Sequence, residues 1–430
     1  MKAAFYTLGC KVNQAESEYM AEILQKAGFE IVGNNEEADY YIINSCTVTA
    51  TADQKTRQSV RKFKRKHPES VVILTGCMPQ AFPEDAEKLE QADIVLGNKN
   101  DNDILELINR YNIEQSRIIR LSQHESGEEF SPCKVSSFGG RVRAFVKIED
   151  GCDRFCSYCI IPKSRGRVRS KPLSDLKSEV IELAENEIKE IVLVGINLSA
   201  YGKGADFNIA DAVETCAEID GITRIRLGSL EPDHITDSII ERLSAVEKFC
   251  PQFHISLQSG CDKTLKSMNR HYTASEYSEL CQKLRKAFKD CSLTTDVMVG
   301  FNEETQNDFE ESLEFVKKVG FEKVHVFPYS ERTGTAASKR GDSVTKSEKE
   351  KRAAVMIKET EDIRRKFLEN QIGKTVNVLI EGRADKDYLR GYTKNYTPVL
   401  LKCENDLTGM ETDCVIHSVK DDECIANLDF

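Results

Sequence analysis

A chain of 430 residues has room for about two to four domains, and its 40% hydrophobic and 30% charged residues are those of a globular protein with ample core. No apolar run reaches the length of a membrane span, and the start MKAAFYTLGC leads straight into a strand-and-turn pattern, so no membrane or signal peptide is expected and the cytoplasm is the default location. Fifteen cysteines, an odd number without a secretion signal, argue against a disulfide framework and for metal or cluster ligation by some of them, while the net charge of −11 leans against nucleic acid unless it hides basic patches.

Residues 1–125 alternate strand and helix patterns. AAFYTL, YYIIN, VVILT and DIVLG read as buried parallel strands, with helices predicted over 14–28 and 52–66. This is the rhythm of an open parallel α/β sheet. Residues 126–140 lose periodicity and read as a linker. From 141 to 366 a second α/β series offers AFVKI, EIVLVG, RIRLG, FHISL, TTDVMVG and KVHVFPY as strands, with helices such as 174–187 and 273–289 between them. Six such repeats predict a partial or complete parallel barrel. Residues 344–369 read as a long solvated helix. The period then changes to two in TVNVLIEG, YLRGYT and TPVLLKC, which predicts a small all-β barrel over 367–430.

The stretch IEDGCDRFCSYC carries Cys152, Cys156 and Cys159 at C-x3-C-x2-C spacing. Thiolates bind zinc or iron–sulfur clusters. A structural zinc site wants four protein ligands, and no further Cys or His lies between 134 and 215, although a distant His could complete one. Three thiolates suit a 4Fe–4S cluster with one iron left open to a substrate or cofactor group. The motif follows AFVKI, at the C-terminal mouth of the first predicted barrel strand, the face on which parallel barrels place their active sites.

With Tyr158 before its last cysteine, the motif resembles the radical S-adenosylmethionine superfamily. The resemblance implies that the open iron chelates the amino and carboxylate groups of the cofactor, whose reductive cleavage gives a 5′-deoxyadenosyl radical. Three more cysteines, Cys10, Cys46 and Cys77, each directly follow a predicted strand of the first sheet. Strand C-ends of an open α/β sheet share one edge, so these three are expected to converge, as a second cluster or as buried thiols.

Two trios resemble the methylthiotransferases, radical enzymes that insert sulfur and methylate it. The resemblance covers essentially the whole chain, including a C-terminal barrel of TRAM type. It is carried further by GINLSAYG (195–202), IRLGSLEP (225–232), HISLQSG (254–260), MNRHYT (268–273), TDVMVGFNEET (295–305) and FPYSERTGTAA (327–337). It implies two 4Fe–4S clusters and S-adenosylmethionine, with all six cysteines as ligands. Asn197, Ser229, Glu231 and Gln258, at or beyond predicted strand ends, can hydrogen-bond the cofactor. Arg270 can pair with its carboxylate, and Gly300 lets the backbone approach an adenine. Each also reads as a polar cap on a strand or loop. Arg332 and Thr335 are expected to organise the late barrel loop or approach the substrate.

The start TLGCKVNQAES, with EPDHITDSII, resembles the branch acting on N6-threonylcarbamoyladenosine at position 37 of tRNA. The isopentenyladenosine branch more often reads Gly-Cys-Gln-Met-Asn there, and the ribosomal-protein branch Gly-Cys-Pro-Lys-Asn or similar. The anticodon stem-loop is then the expected partner, with an external electron donor and sulfur source, and a monomer is the expected state. Charge offers KTRQSVRKFKRK (55–66), including Lys62 and Arg65, and KSRGRVRSK (163–171), including Arg165 and Arg167, as phosphate-binding runs. Against this, residues 371–430 hold seven Lys/Arg and eleven Asp/Glu. Three rivals follow: the same chemistry on an aspartate of a basic ribosomal protein, a metal-stabilised RNA binder without catalysis, and a radical enzyme whose second cluster only relays electrons.

Overall fold

The computed structural model describes residues 1–428 apart from 138 and 140. Those two residues of the expected linker, and 429 and 430 of the expected barrel, lie outside the described residues.

The N-terminal part is one six-stranded sheet, with every neighbouring pair parallel: β1 (Lys2–Thr7), β2 (Glu30–Val32), β3 (Tyr40–Ser45), β4 (Val71–Gly76), β5 (Ile94–Leu96) and β6 (Ile118–Arg120), in the order β2-β1-β3-β4-β5-β6. All of β3 is buried because both faces are covered. Tyr40 and Ile42 pack with Met20, Leu24 and Ile108 on one side. Tyr41 and Ile43 pack with Val60 and Phe63 on the other. The helices α1 (Lys11–Lys26) and α2 (Ala50–Lys66) follow β1 and β3. Thr49 caps α2 by accepting from Ala52 N, and Lys64, Arg65 and Lys66 in its last turn suit the negative helix end. Strands β2 and β6 were not predicted: each has three residues at a sheet edge, too few for a pattern.

Residues 121–142 form no helix or strand among those described, yet they are anchored. Cys133 and Val135 are buried. Ser136 N donates to Glu22 Oε2 at 2.7 Å, and Lys171 Nζ to the Cys133 carbonyl at 3.0 Å.

The central part is an open, partial parallel barrel. Its wall runs β7 (Arg143–Lys147), β10 (Glu190–Val194), β11 (Arg224–Leu227) continued past Gly228 as β12 (Ser229–Leu230), β13 (Gln252–Ile255), β14 (Ser292–Val299) and β15 (Lys323–Pro328). A short antiparallel pair, β8 (Glu149–Asp150) and β9 (Arg169–Ser170), flanks the cysteine loop. Helices such as Leu173–Glu185, Ala274–Ala287 and Gln306–Val319 cover the outside, the last two opened by capping boxes at Thr273/Glu276 and Thr305/Asp308. Among the described residues β7 does not pair with β15, so the wall has an open side. Helix α1 lies against β7, with Val12 packed on Val192 and Val194 of β10.

The long helix Lys346–Glu369 leads into a closed five-stranded barrel of β16 (Thr375–Arg383), β17 (Tyr388–Thr393), β18 (Pro398–Lys402), β19 (Glu411–Lys420) and β20 (Glu423–Leu428), ordered β16-β17-β18-β20-β19. It docks under the first strands of the central wall. Arg224 Nη1 donates to the Tyr392 carbonyl at 2.7 Å, Arg226 Nη2 to the Thr393 carbonyl at 2.8 Å, and Arg143 pairs with Glu190 and Glu381. No helix among the described residues is long and apolar enough to cross a membrane.

Candidate active site

The loop bearing Cys152, Cys156 and Cys159 leaves the mouth of β7 through Gly151. That residue has φ 86°, and a Cβ on it would run into the Arg167 carbonyl, so only glycine fits. The loop is pinned by Cys152 N to the Gly166 carbonyl (3.0 Å), Ser157 N to the Met268 carbonyl (2.9 Å) and Cys159 N to the Cys156 carbonyl (3.0 Å). Arg270 Nη1 donates to Cys156 Sγ at 3.3 Å. Burial pushes the Cys152 thiol up to about 12 and Cys159 higher still, so these sulfurs become thiolates only beside a compensating cation. Among the described residues no three His, Cys, Asp or Glu side chains stand close enough to share one ion. The thiolates of an iron–sulfur cluster each bind a different iron.

Around this loop the strand ends present the residues expected to meet a cofactor. Asn197, after β10, donates its backbone N–H to Glu149 Oε2 at 2.7 Å, and its buried Oδ1 has no partner, leaving an acceptor free for a ligand donor. Ser229 is exposed at the start of β12. Glu231 is held by Arg270, and burial raises its carboxyl. Gln258, with φ 66°, ties β13 to β14 through Asp296 O and Met298 N, both at 2.8 Å. Tyr158 meets Phe301 edge-on at 6.0 Å. Two residues depart from expectation. Arg270 is committed to Glu231, Cys156 and Tyr272 rather than free for a carboxylate. Gly300 does not open a cradle: its φ is 68° and the Lys349 stem fills the space a Cβ would need.

The second trio meets at the other sheet. Cys10 is the N-cap of α1, Cys46 follows β3, and Cys77 follows β4. Strands β1 and β3 are neighbours in a sheet whose order reverses there, and the crevice at such a reversal is where open α/β sheets bind ligands. A Cβ on Gly9 would lie 3.0 Å from Cys46 Cβ, so the turns before Cys10 and after β3 touch. Asn13, one helical turn past Cys10, accepts from Cys10 Sγ (3.2 Å) and donates to Asn44 Oδ1 (3.0 Å) and the Ser45 carbonyl (3.1 Å). Burial pushes the Cys77 thiol up to about 12, against the pull of Arg165.

Arg165 corrects the charge reading. It is fully buried, not offered to phosphate: Nε donates to Cys77 Sγ at 3.2 Å, and its fork grips Glu16, with Nη2–Oε2 at 2.9 Å. Glu16 also binds Lys147, which reaches Asp150 at 2.8 Å. This network joins the two cysteine-bearing parts, and sequence reasoning missed Glu16, Lys147 and Asn13. Arg332 is likewise buried, on Asp53 (2.7 Å) and Thr47 (2.9 Å), with Thr335 buried beside it donating to its carbonyl at 2.8 Å. Lys62 and Arg65 are exposed but sit near the far end of α2, which starts by Cys46 and runs back about 25 Å over its 17 residues. Their neighbour Lys64 binds Asp93, just before β5. Of the two runs, Arg167 remains exposed near the loop, 3.4 Å from Asp153 and stacked 4.7 Å from the Phe155 ring.

Next to Cys10 of the second trio, Lys11 reaches over the ring of Phe145, with Nζ 5.9 Å from its centroid. It is open to solvent yet walled in; burial, then Arg143 and Arg226, push it down to about 8. His254 lies 3.2 Å from Asp296 on the inner wall, with His325 beside it.

Comparison with known proteins places this geometry. Residues 2–97 match the family described as Uncharacterized protein family UPF0004, and residues 146–316 the Radical SAM superfamily. The threonylcarbamoyladenosine tRNA methylthiotransferase of Thermotoga maritima is 39% identical over 91% of this chain and 89% of its own, and that of Bacillus subtilis 36% over 94% and 91%. The tRNA-2-methylthio-N(6)-dimethylallyladenosine synthase of Clostridium novyi is 37% identical over 89% and 86%. A solved radical S-adenosylmethionine methyltransferase from Kitasatospora setae shares the fold at TM-score 0.55 and 13% identity, over 76% of this chain and 74% of that one.

Proposed function

The chain belongs to the methylthiotransferases of the radical SAM superfamily, and from that membership we propose that it inserts a methylthio group at C2 of N6-threonylcarbamoyladenosine at position 37 of tRNA. The observation that carries this reading is the meeting of two cysteine trios in one body, the loop past one trio reaching the other through Arg165. We assign one 4Fe–4S cluster to Cys152, Cys156 and Cys159 and a second to Cys10, Cys46 and Cys77. When bound, the clusters and S-adenosylmethionine supply the one-electron and sulfur chemistry.

The protein's own part is holding, orienting and excluding. Arg270 keeps a positive charge against Cys156 Sγ, and Arg165 does the same at Cys77; such donors to sulfur tune a cluster. Asn197 Oδ1 offers an acceptor to the cofactor's amino group, with Glu149 fixing the turn that carries it. Helix α1 packs Val12 against Val192 and Val194 of the wall, which joins the second trio's helix to the barrel and helps keep water from the reacting base. We further propose that the anticodon stem-loop enters over the mouth, that reductant and replacement sulfur come from outside, and that the enzyme acts as a cytoplasmic monomer.

The test is anaerobic reconstitution, iron analysis and turnover. About eight irons in wild type and about four in a Cys152→Ala/Cys156→Ala/Cys159→Ala variant fit two clusters. Digested tRNA should contain the 2-methylthio nucleoside only with wild type. Methylthiolation of a basic ribosomal protein with none on tRNA would move the assignment to the protein branch.

A further inference from the structure

We propose that Lys11 is the specificity-determining residue for the threonylcarbamoyl group, holding its carboxylate beside the second cysteine trio; this rests on the nucleoside assigned above. Three observations carry it. Lys11 directly follows Cys10, and its Nζ stands over Phe145 on the inner wall of the barrel, 5.9 Å from the ring centroid. Arg143, Arg226 and Glu190 of the inner wall stand around it, with Cys10 of the second trio beside it.

The neighbouring cations are committed, and Lys11 is not. Arg143 is paired with Glu190 and Glu381, and Arg226 with Glu190 and the Thr393 and Lys394 carbonyls. Lys147 is paired with Glu16 and Asp150, and Arg270 with Glu231. Among the described residues no acceptor lies within hydrogen-bond or ion-pair distance of Lys11 Nζ, so a solvent-open cation on a flexible stem is available to an anion.

The shape of the substrate fits this position. In adenine, C2 and the carbon bearing N6 flank N1 on one edge of the base. A group on N6 and a sulfur bound for C2 therefore approach the same edge, and the residue next to the sulfur-side thiolate is the one whose stem can reach the N6 substituent. Threonylcarbamoyl carries one carboxylate there, whereas a dimethylallyl group carries none. A site that pairs with a charge rejects the analogue lacking it far more strongly than an apolar pocket rejects an extra methylene.

The experiment uses anaerobic holoenzyme and synthetic anticodon stem-loops bearing either N6-threonylcarbamoyladenosine or its threoninamide counterpart, with the carboxylate capped as an amide. Affinity is read by fluorescence anisotropy, product by nucleoside digestion, and iron content on every variant. Wild type should bind the acid about tenfold or more tighter than the amide, Lys11→Gln should bind both alike with its iron retained, and Lys11→Arg should keep the preference. Equal binding of acid and amide by wild type overturns the inference without recourse to any variant, and so does an undiminished preference in Lys11→Gln. Absence of methylthio product from wild type on the acid stem-loop is a different failure: it overturns the nucleoside assignment and takes this inference with it.

Discussion

Arg165 has no exposed surface, and its charge is balanced by Glu16 within the same buried network. Replacing it by methionine leaves Glu16 short of a partner in a dry site, at a cost of about 3–5 kcal/mol. The thermal midpoint of Arg165→Met should drop accordingly, and Glu16→Gln/Arg165→Met should recover part of the loss because it removes both charges. Iron bound at the Cys77 side should fall in the single variant. Such a residue shows what a sequence can and cannot disclose. Cys152, Cys156 and Cys159 were legible because their spacing alone excludes most chemistries. Arg165 sits in an obviously basic run, and nothing local says that its partner is 149 residues away. Asn13 offered a fainter signal, lying one turn from Cys10 on the same helix face.

At the scale of elements, the strand ends do the positioning, and glycines allow it. Gly76, the last residue of β4 before Cys77, has φ 93°, and a Cβ there would lie 2.5 Å from the Ser45 carbonyl. Gly76→Ala should cost more than about 1–3 kcal/mol and lower iron retention, read by thermal melting and iron analysis of the reconstituted protein. The long central strands were readable from continuous apolar runs, since both faces of a parallel sheet are covered. The edge strands β2 and β6 were not, because three residues cannot display a period. Helix α2 was found, and its basic run does start near the cysteine edge at Lys55, but Lys62 and Arg65, expected to meet substrate, lie late in it. A helix following a parallel strand runs back against it, so charges late in that helix end up far from the cysteine before it. Salt dependence checks this for an anticodon stem-loop. Lys62→Ala/Arg65→Ala should leave the slope of log affinity against log salt nearly unchanged, and Arg167→Ala should reduce it by about one.

Across the whole molecule, the C-terminal barrel is joined to the central wall by buried charge. Burial raises the Glu190 carboxyl, but Arg226 and Arg143 outweigh it and hold it below the usual carboxylate range. A carboxyl depressed in the folded state stabilises fully above its unfolded value, about 4.3, and that contribution is lost as the pH falls through the folded one. Wild type should therefore lose docking of this barrel in acid, seen as rising proteolysis around residue 370. Glu190→Gln should show weaker docking at neutral pH and a flatter acid limb.

The Glu16–Arg165 grip has a kinetic meaning as well. One chain carries both cysteine trios, so their encounter is intramolecular, and the grip fixes its geometry, so their mutual concentration does not fall when the protein is diluted. A chain cut between residues 121 and 142 and assembled from two pieces would meet only as often as mass action allows, and its turnover would fall with dilution where that of the intact chain does not.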